Sequence, residues 1–290
     1  MSPGSAARSR PSPGPVARFA GVRLFRSEVA VLFRRWRTWA MLGALAAVPV
    51  LIGLAVRFSP SRPPSGRGPA FLDQVTQNGL FAGVVGLIVC TPLFLPLTVG
   101  VVAGDTIAGE ASLGTLRYLL AAPVGRVRLL VVKFAATAVF CGAAALAVVV
   151  GGVLVGLALF PVGRATLLSG DTIGPGEAVA RLALMGGYVA VSLLGLAAIG
   201  LFASTLTTVP VGAMAGTVVL AVVAQVLGAL DQLDWLHPWL FTNHWLGVAD
   251  LLRQPIAWGS FGENALLQAG YVALFGALAY GRFTTKDVLS

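Results

Sequence analysis

The sequence predicts an all-α polytopic membrane protein with six transmembrane helices, an N-terminal amphipathic helix at the membrane interface and one short cytoplasmic helix. Three observations carry that expectation. Hydrophobic residue types make up 57% of the 290 residues and charged types only 11%, against about 25% charged in an average soluble domain. So few charges cannot solvate a water-exposed surface, and disorder over the whole chain is excluded for the same reason. Second, six apolar runs are long enough to approach or exceed the about 20 residues of a bilayer span. Third, the net charge of +9, from 20 Lys+Arg against 11 Asp+Glu, is spread unevenly around those runs.

The elements follow in order. Residues 1–15 are Ser, Pro, Gly, Ala and Arg with little to bury, so they are expected to be disordered. Over residues 16–37, Val22, Phe25, Val29, Leu32 and Trp36 recur at helical spacing, with Arg18, Arg23, Arg26, Arg34 and Arg37 between them. That pattern predicts a basic helix lying on an anionic leaflet. The transmembrane domain, 38–281, contains the runs Thr38–Val56, Gly79–Ala103, Leu129–Phe160, Val179–Ala203, Val209–Leu230 and Glu263–Gly281, followed by a tail, 282–290. The third run would reach about 48 Å as a helix, so it should begin as a cytoplasmic extension carrying Lys133. The first run is a signal anchor, because cleavage at Ala44-Leu45-Ala46 would cut a span. The glycines of Gly151-Gly152-Val153-Leu154-Val155-Gly156 are expected to let helices approach closely, as are Gly212 and Gly216.

Lys and Arg set the orientation. With a cytoplasmic N-terminus and six spans, 14 of the 20 basic residues fall inside and the net charge divides as +10 inside and −1 outside. Both termini are therefore expected in the cytoplasm, and the positive charge reports orientation rather than nucleic-acid binding. Cys90 and Cys141 fall within apolar runs and read as small hydrophobes. Trp235, Trp239, Trp245 and Trp258 crowd Asp231–Gly262, which suggests a partly re-entrant element at the outer surface.

Several chemistries lack their residues. A phosphate-binding G-x-x-x-x-G-K-[ST] loop is impossible, since the only lysines are Lys133 and Lys286. No G-x-S-x-G or H-E-x-x-H occurs. His237 and His244 share a segment with Asp231, Asp234 and Asp250, but Pro238 disrupts a common helical face and a metal site is not expected. The spans hold almost no charge, and Gln225 is their main polar exception. A weakly polar path fits this better than ion-binding carboxylates.

One cytoplasmic loop, from Gly104 to Arg126, holds most of the remaining polar chemistry. Asp105 and Glu110 end the second span with charge at the inner face, and Gly109 and Gly114 permit breaks or close contacts. Thr115 could cap a short helix with Leu116, Leu119 and Leu120 on its apolar side, stopped by Pro123. As an acid–base dyad, Asp105 and Glu110 would diverge by about 140° around a helix, with no third group to support them.

The segment I-A-x-E-x-x-x-G-T-L-x-x-L-L-x-x-P-V-x-R, here Ile107 to Arg126 and followed by Lys133, resembles the loop after the second span of type-2 ATP-binding-cassette (ABC) permeases. The resemblance implies a permease subunit, an exporter by preference, in a bacterial cytoplasmic membrane. Its implied partners are a separate cytoplasmic ATPase, which would bind ATP and Mg, a second permease copy, identical or not, and membrane lipids. This chain would bind no cofactor itself. Asp105, Glu110, Gly114, Thr115, Leu116, Arg117, Leu120, Pro123 and Arg126 are the implied ATPase-coupling residues, with the helix around Gly114–Ala121 seated in a cleft on the ATPase. Two other readings stay open at this point, a membrane-embedded hydrolase or lipid-modifying enzyme and a scaffold that does not transport.

Overall fold

The computed structural model of the chain describes residues 15–58, 78–114, 125–161, 163, 165–167, 169–256 and 258–285. The expected disorder of residues 1–15 falls, except for Pro15, outside the described residues, and so does most of the tail. The architecture is a bundle of nine α-helices among those residues: α1 Pro15–Arg34, α2 Trp36–Phe58, α3 Phe81–Cys90, α4 Phe94–Ser112, α5 Arg126–Leu159, α6 Pro175–Ser192, α7 Leu194–Leu206, α8 Pro210–Gly228 and α9 Trp258–Thr285. The one departure from an all-α fold is a hairpin of two residues per strand between α5 and α6. In it, β1 Ala165–Thr166 pairs antiparallel with β2 Thr172–Ile173.

Five segments are long and apolar enough to cross a membrane: Trp36–Phe58, Phe94–Ser112, Val127–Leu159, Pro175–Leu206 and Pro210–Gly228. The expected sixth span, α9, has the length, at 28 residues, but Glu263, Asn264, Gln268 and Arg282 make it more polar than the rest. The chain is a multi-pass membrane protein.

Helix α1 meets α2 at a tight elbow. The carbonyls at the end of α1 lack helical partners, and α2 supplies them: Thr38 Oγ1 donates to the Leu32 carbonyl (2.6 Å) and Trp39 Nε1 to that of Phe33 (2.7 Å). The apolar stripe expected on α1 is only partly turned inward. Leu32 and Phe33 pack on the core, whereas Val22 is 59% and Trp36 84% exposed. Both sit where lipid would cover them.

The second span is not one helix. The run Gly79–Ala103 is apolar throughout, but Pro92 and Pro96 each remove a backbone N–H, and the helix breaks between Cys90 and Phe94. A backbone N–H at position 96 would have bonded the Pro92 carbonyl. That carbonyl instead accepts from Gln225 Nε2 of α8 at 2.5 Å, which accounts for the polar residue noted in the fifth apolar run. Lower on the same span, Ser204 Oγ of α7 accepts from the N–H groups of Ile107 and Ala108, both at 2.8 Å.

Glycines set the packing on α5. A side chain at Gly152 would strike the backbone of Gly83, and one at Gly156 the backbone of Gly79, while Gly151 faces the Ala46 backbone. The close approach expected from this glycine run is therefore present. Gly212 and Gly216 behave otherwise, since nothing lies within 4 Å of where their Cβ atoms would be. The packed face of α8 is Ala213, Thr217, Ala221 and Ala224, set against Gly100 and Gly104 of α4. Cys90 and Cys141 are buried free thiols.

The fourth span also breaks, at Leu193, with neither Pro nor Gly at the break. Within Asp231–Gly262, expected to be partly re-entrant, the segment Asp231–Leu252 forms short 3-10 turns. It tucks Phe241, Trp245, Val248 and Leu251 into the core.

Candidate functional site

The end of the bundle that carries Lys133, called inner because the charge pattern predicts it on the cytoplasmic side, gathers most of the charge that the described chain possesses. Helix α4 carries Asp105 and Glu110 one and a half turns apart, α5 carries Lys133, and the elbow of α1 and α2 brings Glu28, Arg35 and Arg37 over them. Arg35 Nη1 donates to Asp105 Oδ2 at 2.8 Å and Arg37 Nη2 to the same oxygen at 2.5 Å. Lys133 Nζ lies 2.5 Å from Glu110 Oε1 and 3.3 Å from Glu28 Oε2. Lys133 is only 3% exposed, a burial a charged amine tolerates because two carboxylates face it. Among these six side chains the formal charges cancel. They surround a cleft of about 140 Å³ that Thr106 and Thr137 also line.

Asp105 and Glu110 thus engage different cations, and no dyad forms between them. Gly114 ends α4 in the left-handed region at φ +68°, a conformation natural to glycine at a helix C-terminus, and its N–H donates to the Ala111 carbonyl at 3.1 Å. Arg126 is the first residue of α5, preceded by Gly125 as its cap. Thr115, Leu116, Arg117, Leu120 and Pro123, and with them the short helix expected there, lie outside the described residues. The described helices on either side of that segment, α4 and α5, are joined by the Glu110–Lys133 pair, and α5 reaches α1 through the bond of Lys133 to Glu28.

Composition alone did not single out Glu28, Arg35 and Arg37 as members of this cluster. They read as the charged face of a surface helix, and only the elbow turns them toward α4.

A second polar cluster lies at the opposite end and was also missed. Asn264 and Gln268, four residues apart on α9, are each 1% exposed. Asn264 Nδ2 donates to Ser192 Oγ (2.7 Å) and Gln268 Nε2 to the Phe241 carbonyl (2.9 Å), while Gln268 Oε1 accepts from Gly195 N–H (3.1 Å). Trp245 Nε1 donates to the Ser192 carbonyl at 2.9 Å, and Tyr188 hydroxyl to that of His244 at 2.6 Å. Two amides at i, i+4 in an otherwise apolar helix were the available signal. The network supplies partners for the break at Leu193 and binds the 3-10 segment to α6 and α9. It holds no convergent charged groups.

His237 lies 3.5 Å from Asp234, and no group of three His, Cys, Asp or Glu that could hold a metal ion occurs among the described residues. No curated protein sequence matches the chain significantly. A family model does match it, described as ABC-2 family transporter protein, over residues 24–224. The match runs from α1 into α8 and takes in the charged inner end, the loop and both of its stems. The chain belongs to the ABC-2 transporter family and is a membrane-spanning permease component of an ABC transporter.

Proposed function

We propose that this chain is the permease subunit of a bacterial exporter, paired with a second permease copy and powered by two copies of a separate cytoplasmic ATPase. Both termini lie in the cytoplasm. The segment 115–124 seats in a cleft on the ATPase, and Thr115, Leu116, Arg117, Leu120 and Pro123 form its contact surface. Gly114 sets the exit angle of that segment from α4. Asp105, Glu110 and Arg126 hold its base. ATP-driven closure of the ATPase pair displaces the segment, and α4 carries the displacement into the bundle, so that the path opens alternately to the two sides. The family match supports this reading, because it covers the loop together with the helices that would move. The ion-paired stems supply the mechanical continuity such a motion needs, since a loop on floppy supports would absorb the displacement.

The test is reconstitution of the chain with the ATPase encoded beside it. A detergent-stable complex is expected, whose substrate-stimulated ATP hydrolysis falls about tenfold in Gly114→Leu and Glu110→Ala, the scale of an ordinary coupling energy. Failure of any ATPase to co-purify, or hydrolysis indifferent to both substitutions, would leave the scaffold reading standing.

A further inference from the structure

The end of the bundle away from Lys133 carries a groove that the transport reading does not use. Phe283, near the C-terminus of α9, packs with Ile107, Leu129 and Leu130 at the charged inner end, so the N-terminal half of α9 lies at the opposite end. There α9 and the 3-10 turn at Trp239 enclose a groove of about 830 Å³, lined from Glu263 to Leu274. Twelve residues of helix, eleven rises, make it about 16 Å long.

Along α9 the lining runs from Glu263 through Leu267 to Tyr271 and Leu274, with Trp239 beside Tyr271. Gly270 contributes no side chain and keeps the floor low. Tyr271 is fixed in place, because its hydroxyl donates to the Trp239 carbonyl at 2.7 Å and its ring stacks on Phe275 at 6.0 Å. Trp239 remains 70% exposed. Glu263 has no ion pair among the described residues, and Arg253, in the same outer segment, is taken by Asp250 at 3.3 Å.

A carboxylate without an ion pair among the described residues, followed along the helix by an aliphatic and aromatic trough, is the complement of one kind of molecule. We propose that this groove binds a single-chain amphiphile with a cationic amine or quaternary ammonium head. The head sits at Glu263 by ion pairing, and the chain lies over Leu267 and past Trp239 and Tyr271 to Leu274. An anionic lipid would meet the Glu263 charge, and an uncharged one would gain nothing from it. The site is independent of the ATPase and of transport, so it stands or falls by direct binding.

The experiment uses the full chain in phosphatidylcholine nanodiscs and dodecyltrimethylammonium carrying a photoreactive diazirine at its chain end. Labelling is expected to map to 266–274 and to the Trp239 turn. Excess dodecyltrimethylammonium should compete and dodecyl maltoside should not. Glu263→Gln should weaken half-saturation about fivefold or more, the range of an exposed ion pair. Leu267→Trp should abolish labelling by filling the trough while leaving the head-group end intact, and both variants should keep the parent's thermal unfolding temperature. Equal labelling by an uncharged probe of the same chain length would overturn the proposal, as would indifference to Glu263→Gln. Protection of the groove by a second copy of the chain in a purified dimer would also overturn it.

Discussion

The two ends of the bundle are both held by buried polar groups, yet they are built from different chemistry. The inner end uses charge: three carboxylates and three cations, with Arg35 and Arg37 each 44% exposed and Asp105 only 12%. The outer end uses mainly neutral amides, hydroxyls and an indole, buried among α6, α9 and the 3-10 segment, with one buried cation, Arg181, which pairs with Glu177 and donates to the Leu251 and Arg253 carbonyls. Neutral networks of this kind are short-ranged, directional and indifferent to salt. Ion pairs near water are weaker per contact and more easily exchanged. The end that fixes an irregular segment in place has the first kind, and the end that borders the loop has the second.

Three substitutions break or sharpen this contrast, taken from the largest expected effect to the smallest. Lys133→Met leaves Glu110 and Glu28 facing each other without their cation and should destabilise the chain by about 3 kcal/mol, read as thermal unfolding in detergent. Neutralising both carboxylates in the same chain should recover most of that loss. Without such recovery, Lys133 would matter for packing rather than charge. Gln268→Leu removes the partners of Gly195 N–H, the Phe241 carbonyl and Asn264 together, for a loss of about 2 kcal/mol. That loss should be the same in low and in molar salt, whereas a salt-dependent loss would contradict the neutral character assigned to the outer end.

The third substitution concerns the middle of the bundle, which belongs to neither end. Gln225→Leu strips the Pro92 carbonyl of its donor and should cost about 1 kcal/mol. Pro96→Ala in that background restores a backbone N–H within reach of the same carbonyl, so the pair should be less than additive in a double-mutant cycle. Strict additivity would mean that Gln225 serves some other purpose.

The spans were legible because hydropathy depends on composition, and composition survives whatever the neighbours do. Breaks within the spans were not. The run Gly79–Ala103 reads as one continuous span, and the break at residues 91–93 shows only in the stranded Pro92 carbonyl and its partner Gln225. At Leu193 the only local mark is Gly195, whose N–H donates to Gln268, more than seventy positions away in sequence. Gly212 and Gly216 differ again, in that their spacing fits close packing but they meet no other helix of this chain. At the site, Asp105, Glu110 and Gly114 stood out as polar or small residues at the end of a span. Glu28, Arg35 and Arg37 could not, because the elbow that delivers them is a tertiary feature.

The break in the second span has a mechanical consequence. Its upper piece, α3, lies in the glycine-lined contact with α5 and beside α2, while its lower piece, α4, packs on α7 and α8. One stretch of chain thus belongs to two neighbourhoods, and residues 91–93 are where they meet. Helix α4 is then a lever about 28 Å long, with its pivot at Pro92. A tilt of about 10° there would carry Ser112 through about 5 Å, close to one helical turn. The three residues 91–93 would supply the slack for such a tilt, and the ion pairs of α4 with Arg37 and Lys133 would have to yield or travel with it.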